Sequence, residues 1–174
     1  MKHKGEQMVL VVPESNYSNY DSIKITPNYV DEDFENAIIS LVPVRPVNSK
    51  KRNQILRFGN SIPYGDNIVS KDIPEIFSGF HDDIDFDSIT INEYYPGQTI
   101  DWHIDQPLWL KSVHIISLLS DAELKFKRDK EIISFFLPRY SLSEFSGDLR
   151  YKWEHSLTAS SKRYSVVFRS SKKQ

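Results

Sequence analysis

The sequence predicts a mainly β protein of α+β character: an antiparallel sandwich or jelly roll preceded by helical elements. From Ser88 onward, seven strand-like runs follow one another closely: Ile89–Tyr95, Val113–Leu119, Ala122–Lys127, Ile132–Leu137, Ser141–Phe145, Tyr151–His155 and Tyr164–Arg169. Short strands at that density, bounded by turn residues, are the pattern of a sandwich or jelly roll. Upstream of Ser88 the character differs, with helical periods and proline-bearing connections. The length of 174 residues, 39% hydrophobic and 26% charged, fits one folded domain with a real core. No repeat, low-complexity tract or interdomain linker divides it. The expected organisation is a single domain over 1–174, with an N-terminal extension over about 1–87 and a jelly-roll core over about 88–170.

In chain order, Val9–Val12 is a short apolar run ending at Pro13, which predicts a buried strand, and Ser15–Tyr20 is turn-rich. Ile23–Ile25 alternates as a strand ahead of Pro27. Asp31, Glu32 and Asp33 then open a helix with apolar positions Phe34, Ala37, Ile38, Leu41 and Val42, the acids lying where the helix dipole favours them. Pro43 stops it, and Val44–Asn48 cannot be regular helix. Lys50, Lys51 and Arg52 form a basic cluster before the strand-like Ile55–Phe58. Gly59–Asp66 reads as loop, Ile73–Phe80 as a short helix opened by Asp72 and Pro74, and His81–Asp87 as an acidic, solvated loop.

Composition narrows the chemistry. There is no cysteine, so disulfides, thiolate metal sites and cysteine nucleophiles are excluded, and any metal must be held by imidazole and carboxylate. A formal charge of −2 supplies no global basic field for nucleic acid but leaves a local patch open. No apolar run reaches the length of a membrane span, and no signal-like segment follows Lys2, His3 and Lys4. A monomer in the cytoplasm or nucleus is the expectation, with no membrane partner.

The stretch from Asn92 to Asp105 reads as a strand, a Pro96–Gly97 turn and a second strand bearing His103 and Asp105. In an extended chain residues i and i+2 leave the same face, so both can reach one metal ion. The spacing is not specific alone, because His81 and Asp83 repeat it within a run of acids. His155, closing the run Tyr151–His155, is the candidate third ligand. A jelly roll brings such distant strands together, giving two histidines and one carboxylate, a set that leaves adjacent positions open and suits non-haem Fe(II). His114, inside an apolar run, reads as a core histidine and His3 as a solvated terminus.

The last strand carries an independent signal. Arg163, Ser165, Val167 and Arg169 fall on one face, and Tyr164, Val166 and Phe168 on the other. Apolar residues on both faces predict burial of both, and two buried arginines require an anion.

These residues resemble the AlkB family of Fe(II)- and 2-oxoglutarate-dependent dioxygenases. The resemblance runs through Asn92-x-Tyr94 with Pro96-Gly97, His103-x-Asp105, Ile115–Ser120, the segment from Leu137, Pro138 and Arg139 through Gly147, Arg150 and His155, and Arg163–Arg169 with its two arginines five residues apart. Less specifically, Ile25–Leu41 and Arg57-Phe58-Gly59 are similar to the family's entry strand, first helix and nucleotide-recognition segment. The resemblance implies a double-stranded β-helix (cupin-like jelly roll) with N-terminal helices packed on one side. It implies Fe(II) held by His103, Asp105 and His155, and 2-oxoglutarate and O2 as cosubstrates. It also implies that Arg163 takes the distal carboxylate, helped by Tyr94, with Asn92, Ser165 and Arg169 completing the cosubstrate site.

The implied activity is oxidative demethylation of alkylated bases in DNA or RNA, releasing formaldehyde, succinate and CO2. The substrate base must be single-stranded or flipped to reach the iron. Candidate substrate residues are Arg57, Phe58, Tyr64 and Trp109, with Trp102 a further stacking candidate and Lys50, Lys51 and Arg52 near the backbone. Pro107 stands where some DNA-repair members carry a second acid, so base preference does not transfer. The alternatives are the same chemistry on a transfer-RNA base or a protein side chain, and a non-catalytic nucleic-acid-binding module on this fold.

Overall fold

In the computed structural model, the structure describes residues 9–13, 16, 21–44, 52–61 and 69–171. His3, Lys50, Lys51 and Tyr64, and most of 15–20, 44–48 and 59–66, lie outside these residues.

Two facing sheets form the frame. Strands β1 (Val9–Val11), β6 (Thr99–His103), β8 (Ala122–Arg128), β9 (Glu131–Leu137) and β11 (Glu154–Thr158) make one, in the order β1-β9-β8-β11-β6. Strands β2 (Ile23–Thr26), β3 (Asn53–Ser61), β4 (Val69–Lys71), β5 (Ser88–Tyr94), β7 (Trp109–Leu118), β10 (Leu142–Phe145) and β12 (Arg163–Ser171) make the other, in the order β2-β10-β7-β12-β5-β3-β4. Apart from β1 on β9, the pairs are antiparallel. This is the expected jelly roll. The strands before residue 88 join the same two sheets as those after it.

The larger sheet is covered twice. On its inner face Val167, Val113 and Phe145 meet Phe126, Phe135 and Leu124 of the smaller sheet. On its outer face Ile89, Ile91, Ile116, Val166 and Phe168 meet Ile38 of helix α1 (Glu32–Leu41) and Phe77 of a short 3₁₀ helix over Glu75–Asp82. Double coverage is why β12 is buried on both faces, as its sequence required.

Helix α1 begins where the sequence placed it: Asp31 caps it by accepting the Phe34 N–H at 3.0 Å. Glu35, buried on its inner side, pins it to the sheet. Its carboxylate accepts from the Leu119 N–H at 2.6 Å and pairs with Arg139. Burial opposes that charge, but the hydrogen bonds from Arg139 and Leu119 outweigh it and hold the carboxyl below its ordinary range. Among the described residues no helix is long and apolar enough to cross a membrane.

Four local readings are corrected. Residues 147–151 form helix α2 (Gly147–Tyr151), so His155 is the second residue of β11 and does not close a strand. Leu149 and Tyr151 alternate as in a strand, but adjacent Leu149 and Arg150 are both buried, which a one-faced strand cannot supply. Gly59–Ser61 continues β3 and is not loop. Gly59 adopts φ +67°, and a Cβ there would stand 2.1 Å from the Asp87 carbonyl oxygen, so only glycine fits. The helix read at 73–80 is the 3₁₀ turn at 75–82. The acidic stretch after it exposes Asp83 and Asp85, yet Ile84 and Phe86 are buried anchors, and half-buried Asp87 accepts from the Ser171 N–H at 2.8 Å and from its Oγ at 2.6 Å.

Candidate active site

The Pro96–Gly97 turn carries the chain from one sheet to the other. Gln98 N–H donates to the Tyr95 carbonyl at 2.9 Å, and Gly97 takes φ +84°, the residue a proline-led type II turn needs at its third position. Past it, β6 pairs with β11 so that His103 lies directly opposite His155. Their rings are 4.2 Å apart, centroid to centroid. The two histidines thus come from neighbouring strands of one sheet. Asp105, two residues past β6, joins them, and the ligand atoms of all three lie within 4.8 Å of one another.

Each group is prepared differently. His103 Nδ1–H donates to the Asp101 carbonyl at 2.7 Å, which turns Nε2, 3.5 Å from Asp105 Oδ1, toward the shared face. His155 is 5% exposed and its Nδ1 is buried without a hydrogen-bond partner. Burial pushes its pKa down to about 3, against the pull of Asp105, so the imidazole is neutral. Arg169 reaches across from the larger sheet and its Nε donates to Asp105 Oδ2 at 2.9 Å. Burial works against the Asp105 carboxylate, but the Arg169 guanidinium holds its pKa well below the ordinary value. Two imidazoles and an ionised carboxylate on one face fit Fe(II).

The triad opens into a cavity of about 210 Å³ between the sheets. Strand register lays out its polar wall in rows: Arg163 pairs with Tyr94, Ser165 with Asn92 and Ser117, and Arg169 with Ser88. Arg163 is 1% exposed. Its Nη2 donates to Ser117 Oγ at 3.1 Å and its guanidinium lies 5.5 Å from the Tyr94 ring, but Nε is buried without a partner. Among the described residues no carboxylate pairs with it. Asn92 Nδ2 donates to Ser165 Oγ at 3.3 Å, while its Oδ1 is also buried and unpartnered. A buried, unpaired guanidinium is costly. A small dicarboxylate chelating a metal at one end and reaching Arg163 with the other satisfies it, so the wall fits 2-oxoglutarate.

The remaining candidates separate. Arg52, Arg57 and Trp109 line the cavity. Phe58 turns to the opposite face and packs beside Phe77, ring centroids 6.2 Å apart, in the outer core. Trp102 lies under Lys127, 4.7 Å from its ammonium. His114 is a structural histidine 3.6 Å from Glu144. One residue of the resemblance had no role assigned from sequence: Arg150, wholly buried, donates to the carbonyls of Asp105, Gln106 and Trp109. A lone arginine between two strand-like runs gives no sign of such partners.

No protein-family model matches the chain. Over 93% of its length it superposes on 94% of an oxidoreductase of the 2OG-Fe(II) oxygenase family from Burkholderia pseudomallei, with a TM-score of 0.66 and 15% identity. Over 85% of its length it superposes on 97% of OsALKBH1, with a TM-score of 0.63 and 15% identity. The fold is AlkB-like, that of the 2-oxoglutarate and Fe(II) oxygenases. The AlkB-like fold also matches a Pseudomonas putida prolyl-4-hydroxylase, with a TM-score of 0.57 and 13% identity over 91% of this chain and 96% of that one. In sequence the chain is 33% identical over 127 residues, 63% of its length, to the Macaca fascicularis tRNA (carboxymethyluridine(34)-5-O)-methyltransferase ALKBH8. It is 31% identical over 126 residues to the Mus musculus protein of the same name. The chain spans about a fifth of the length of these relatives, 19% in each case.

Proposed function

We propose that the chain is an Fe(II)- and 2-oxoglutarate-dependent dioxygenase that oxidatively demethylates alkylated bases in single-stranded or flipped DNA or RNA. The observation that carries this reading is the pairing, in one cavity, of a two-histidine, one-carboxylate face with a buried Arg163 that meets no carboxylate among the described residues. When bound, iron, 2-oxoglutarate and dioxygen supply the oxidation that turns an N-methyl group into a hydroxymethyl, which collapses to formaldehyde while succinate and CO2 are released. The chain's own part is to hold and aim. His103, Asp105 and His155 bind the metal, Arg169 keeps Asp105 ionised, and Arg163, Tyr94, Asn92 and Ser165 orient the cosubstrate. Ile115, Leu124, Leu137 and Val167 line the dry wall. Charge favours an anionic substrate: Arg52, Arg57, Arg163 and Arg169 line the cavity against the single carboxylate of Asp105. Arg169 is engaged by Asp105 and Arg163 is assigned to the cosubstrate, and Arg52 and Arg57 add further positive charge to the same lining.

A second reading, a transfer-RNA base as target, is favoured by the relatives, which are named for the modification of a tRNA uridine. A third, a protein side chain, is kept by the neighbour named as a prolyl-4-hydroxylase. Formaldehyde and succinate measured with methylated single-stranded DNA, methylated RNA, bulk tRNA and peptide substrates separate the three. Nucleic-acid-dependent release, lost in His103→Ala, is the expected result. Release with peptide alone overturns the substrate class, and release unaffected by His103→Ala overturns the metal site.

A further inference from the structure

Two of the three metal-facing residues are placed by strand pairing, His103 opposite His155 in β6 and β11. Asp105 is not, because β6 ends at His103. Its carboxylate is gripped by Arg169, but a carboxylate at the end of a free backbone is held at one point only. The backbone is gripped by a different residue. Arg150, on α2, is 0% exposed, and its Nη1 donates to the Asp105 carbonyl at 3.1 Å. Its Nη2 donates to the carbonyls of Gln106 at 2.9 Å and Trp109 at 3.2 Å. One planar guanidinium therefore gathers three carbonyls of the segment 105–109. No carboxylate side chain is bonded to it among the described residues, and its Nε is buried without a partner. Burying a cation against carbonyl dipoles and the Tyr151 ring, 4.9 Å from the guanidinium carbon, is still expensive as a purely structural device, since an apolar side chain of similar volume fills space without the desolvation cost. What the guanidinium adds is a rigid fork that matches several acceptors at once, which a lysine's point charge does not. His155 lies four residues past the end of α2 at Tyr151, so Arg150 ties the Asp105 backbone to the part of the chain that delivers the second histidine.

We propose that Arg150 is the positioning residue of the metal centre: by binding the Asp105, Gln106 and Trp109 carbonyls it fixes the off-strand ligand on the face shared by His103 and His155. The proposal rests on the metal reading of that triad. The division of labour is explicit. Arg169 sets the charge and rotamer of the carboxylate, and Arg150 sets where its backbone starts.

The test is a double-mutant cycle on metal affinity with the full chain, using Co(II) as a redox-stable stand-in: wild type, Arg150→Lys, Asp105→Ala and the double variant. Supports of metal ligands are worth about 10- to 100-fold in affinity, and Arg150→Lys is expected to weaken Co(II) binding by about that factor. In the Asp105→Ala background the same change should have no further effect, because the ligand through which Arg150 acts is gone. A general loosening of the fold would instead weaken both backgrounds alike, and that result overturns the proposal, as does wild-type affinity in Arg150→Lys. Thermal unfolding of each metal-free variant registers any loss of fold separately. Should Arg150→Lys not fold, hydrogen exchange on the wild type decides. The amides of 104–109 are expected to be protected before Co(II) is added, and free exchange that is quenched only by the metal overturns the proposal. A wild type that binds no Co(II) at all overturns the triad reading itself.

Discussion

The chain contains the same histidine, spacer, acid pattern twice, and the two copies have different fates. His103 and Asp105 sit at and just past the end of an extended strand, where side chains two apart leave one face, and His155 stands opposite to complete the set. His81 and Asp83 sit at the end of a 3₁₀ turn, where residues two apart diverge around the axis. The His81 ring stacks on Phe86, centroids 4.0 Å apart and planes within 3°, while Asp83 turns away to accept from Tyr29 Oη at 2.7 Å. Among the described residues only the first pair belongs to a cluster able to hold a metal. Spacing is therefore informative only once the backbone period is known, and a ligand pair becomes a site only when a third group is delivered by a different part of the chain.

The largest expected effect breaks this comparison directly. Asp105→Ala should reduce Co(II) affinity by more than about 100-fold, exceeding the 10- to 100-fold typical of residues that merely support a ligand. Asp83→Ala should leave it unchanged. Isothermal titration of the two variants side by side measures both; equal losses would mean that the cluster at His103 is no more a metal site than its copy.

A smaller effect sharpens what lies beyond the metal. Arg163→Ala should raise the 2-oxoglutarate requirement by roughly 10- to 100-fold, the equivalent of losing one charge-assisted hydrogen bond of about 1.5 to 3 kcal/mol. It should leave Co(II) affinity near wild type, since Arg163 touches none of the three metal-facing residues. The His81 region has no counterpart to this arginine. An unchanged 2-oxoglutarate requirement would remove Arg163 from the cosubstrate site.

Much of this was legible in residue order because period and burial agree. β12 advertises its double burial by alternating Arg163, Ser165 and Val167 with Tyr164, Val166 and Phe168. The turn ahead of His103 is announced by Pro96 and Gly97, and α1 by Asp31 and the apolar spacing behind it. The sequence was misleading where a short segment satisfies two periods, as Leu149 and Tyr151 do in α2. It was silent where a side chain's partners are backbone carbonyls, as for Arg150, because carbonyls carry no residue identity. Phe58 illustrates a third case. A register shift between Gln54 and Leu56 sets which of Arg57 and Phe58 faces the cavity: Arg57 pairs with Thr90 on the cavity side, and Phe58 with Ile89 in the outer core.

The finest discrimination between the two pairs is by pH. His155 is the buried histidine of the triad, neutral in the folded chain because burial has carried its pKa from 6.5 to about 3. The unfolded chain, with ordinary histidine behaviour, binds a proton across that interval that the folded chain refuses. Stability therefore rises with pH between those limits and levels off above the upper one, so the contribution is complete at neutral pH and is lost progressively on acidification. One such proton gives a slope of at most about 1.4 kcal/mol per pH unit. Urea unfolding of the metal-free protein across the mildly acidic range should show this slope, and His155→Gln should flatten it by up to that amount. His81→Gln, whose ring is exposed on the far side of the sheet, should not. If His155→Gln and wild type keep the same slope, the histidine is not buried neutral, and the contrast between the two pairs would rest on geometry alone.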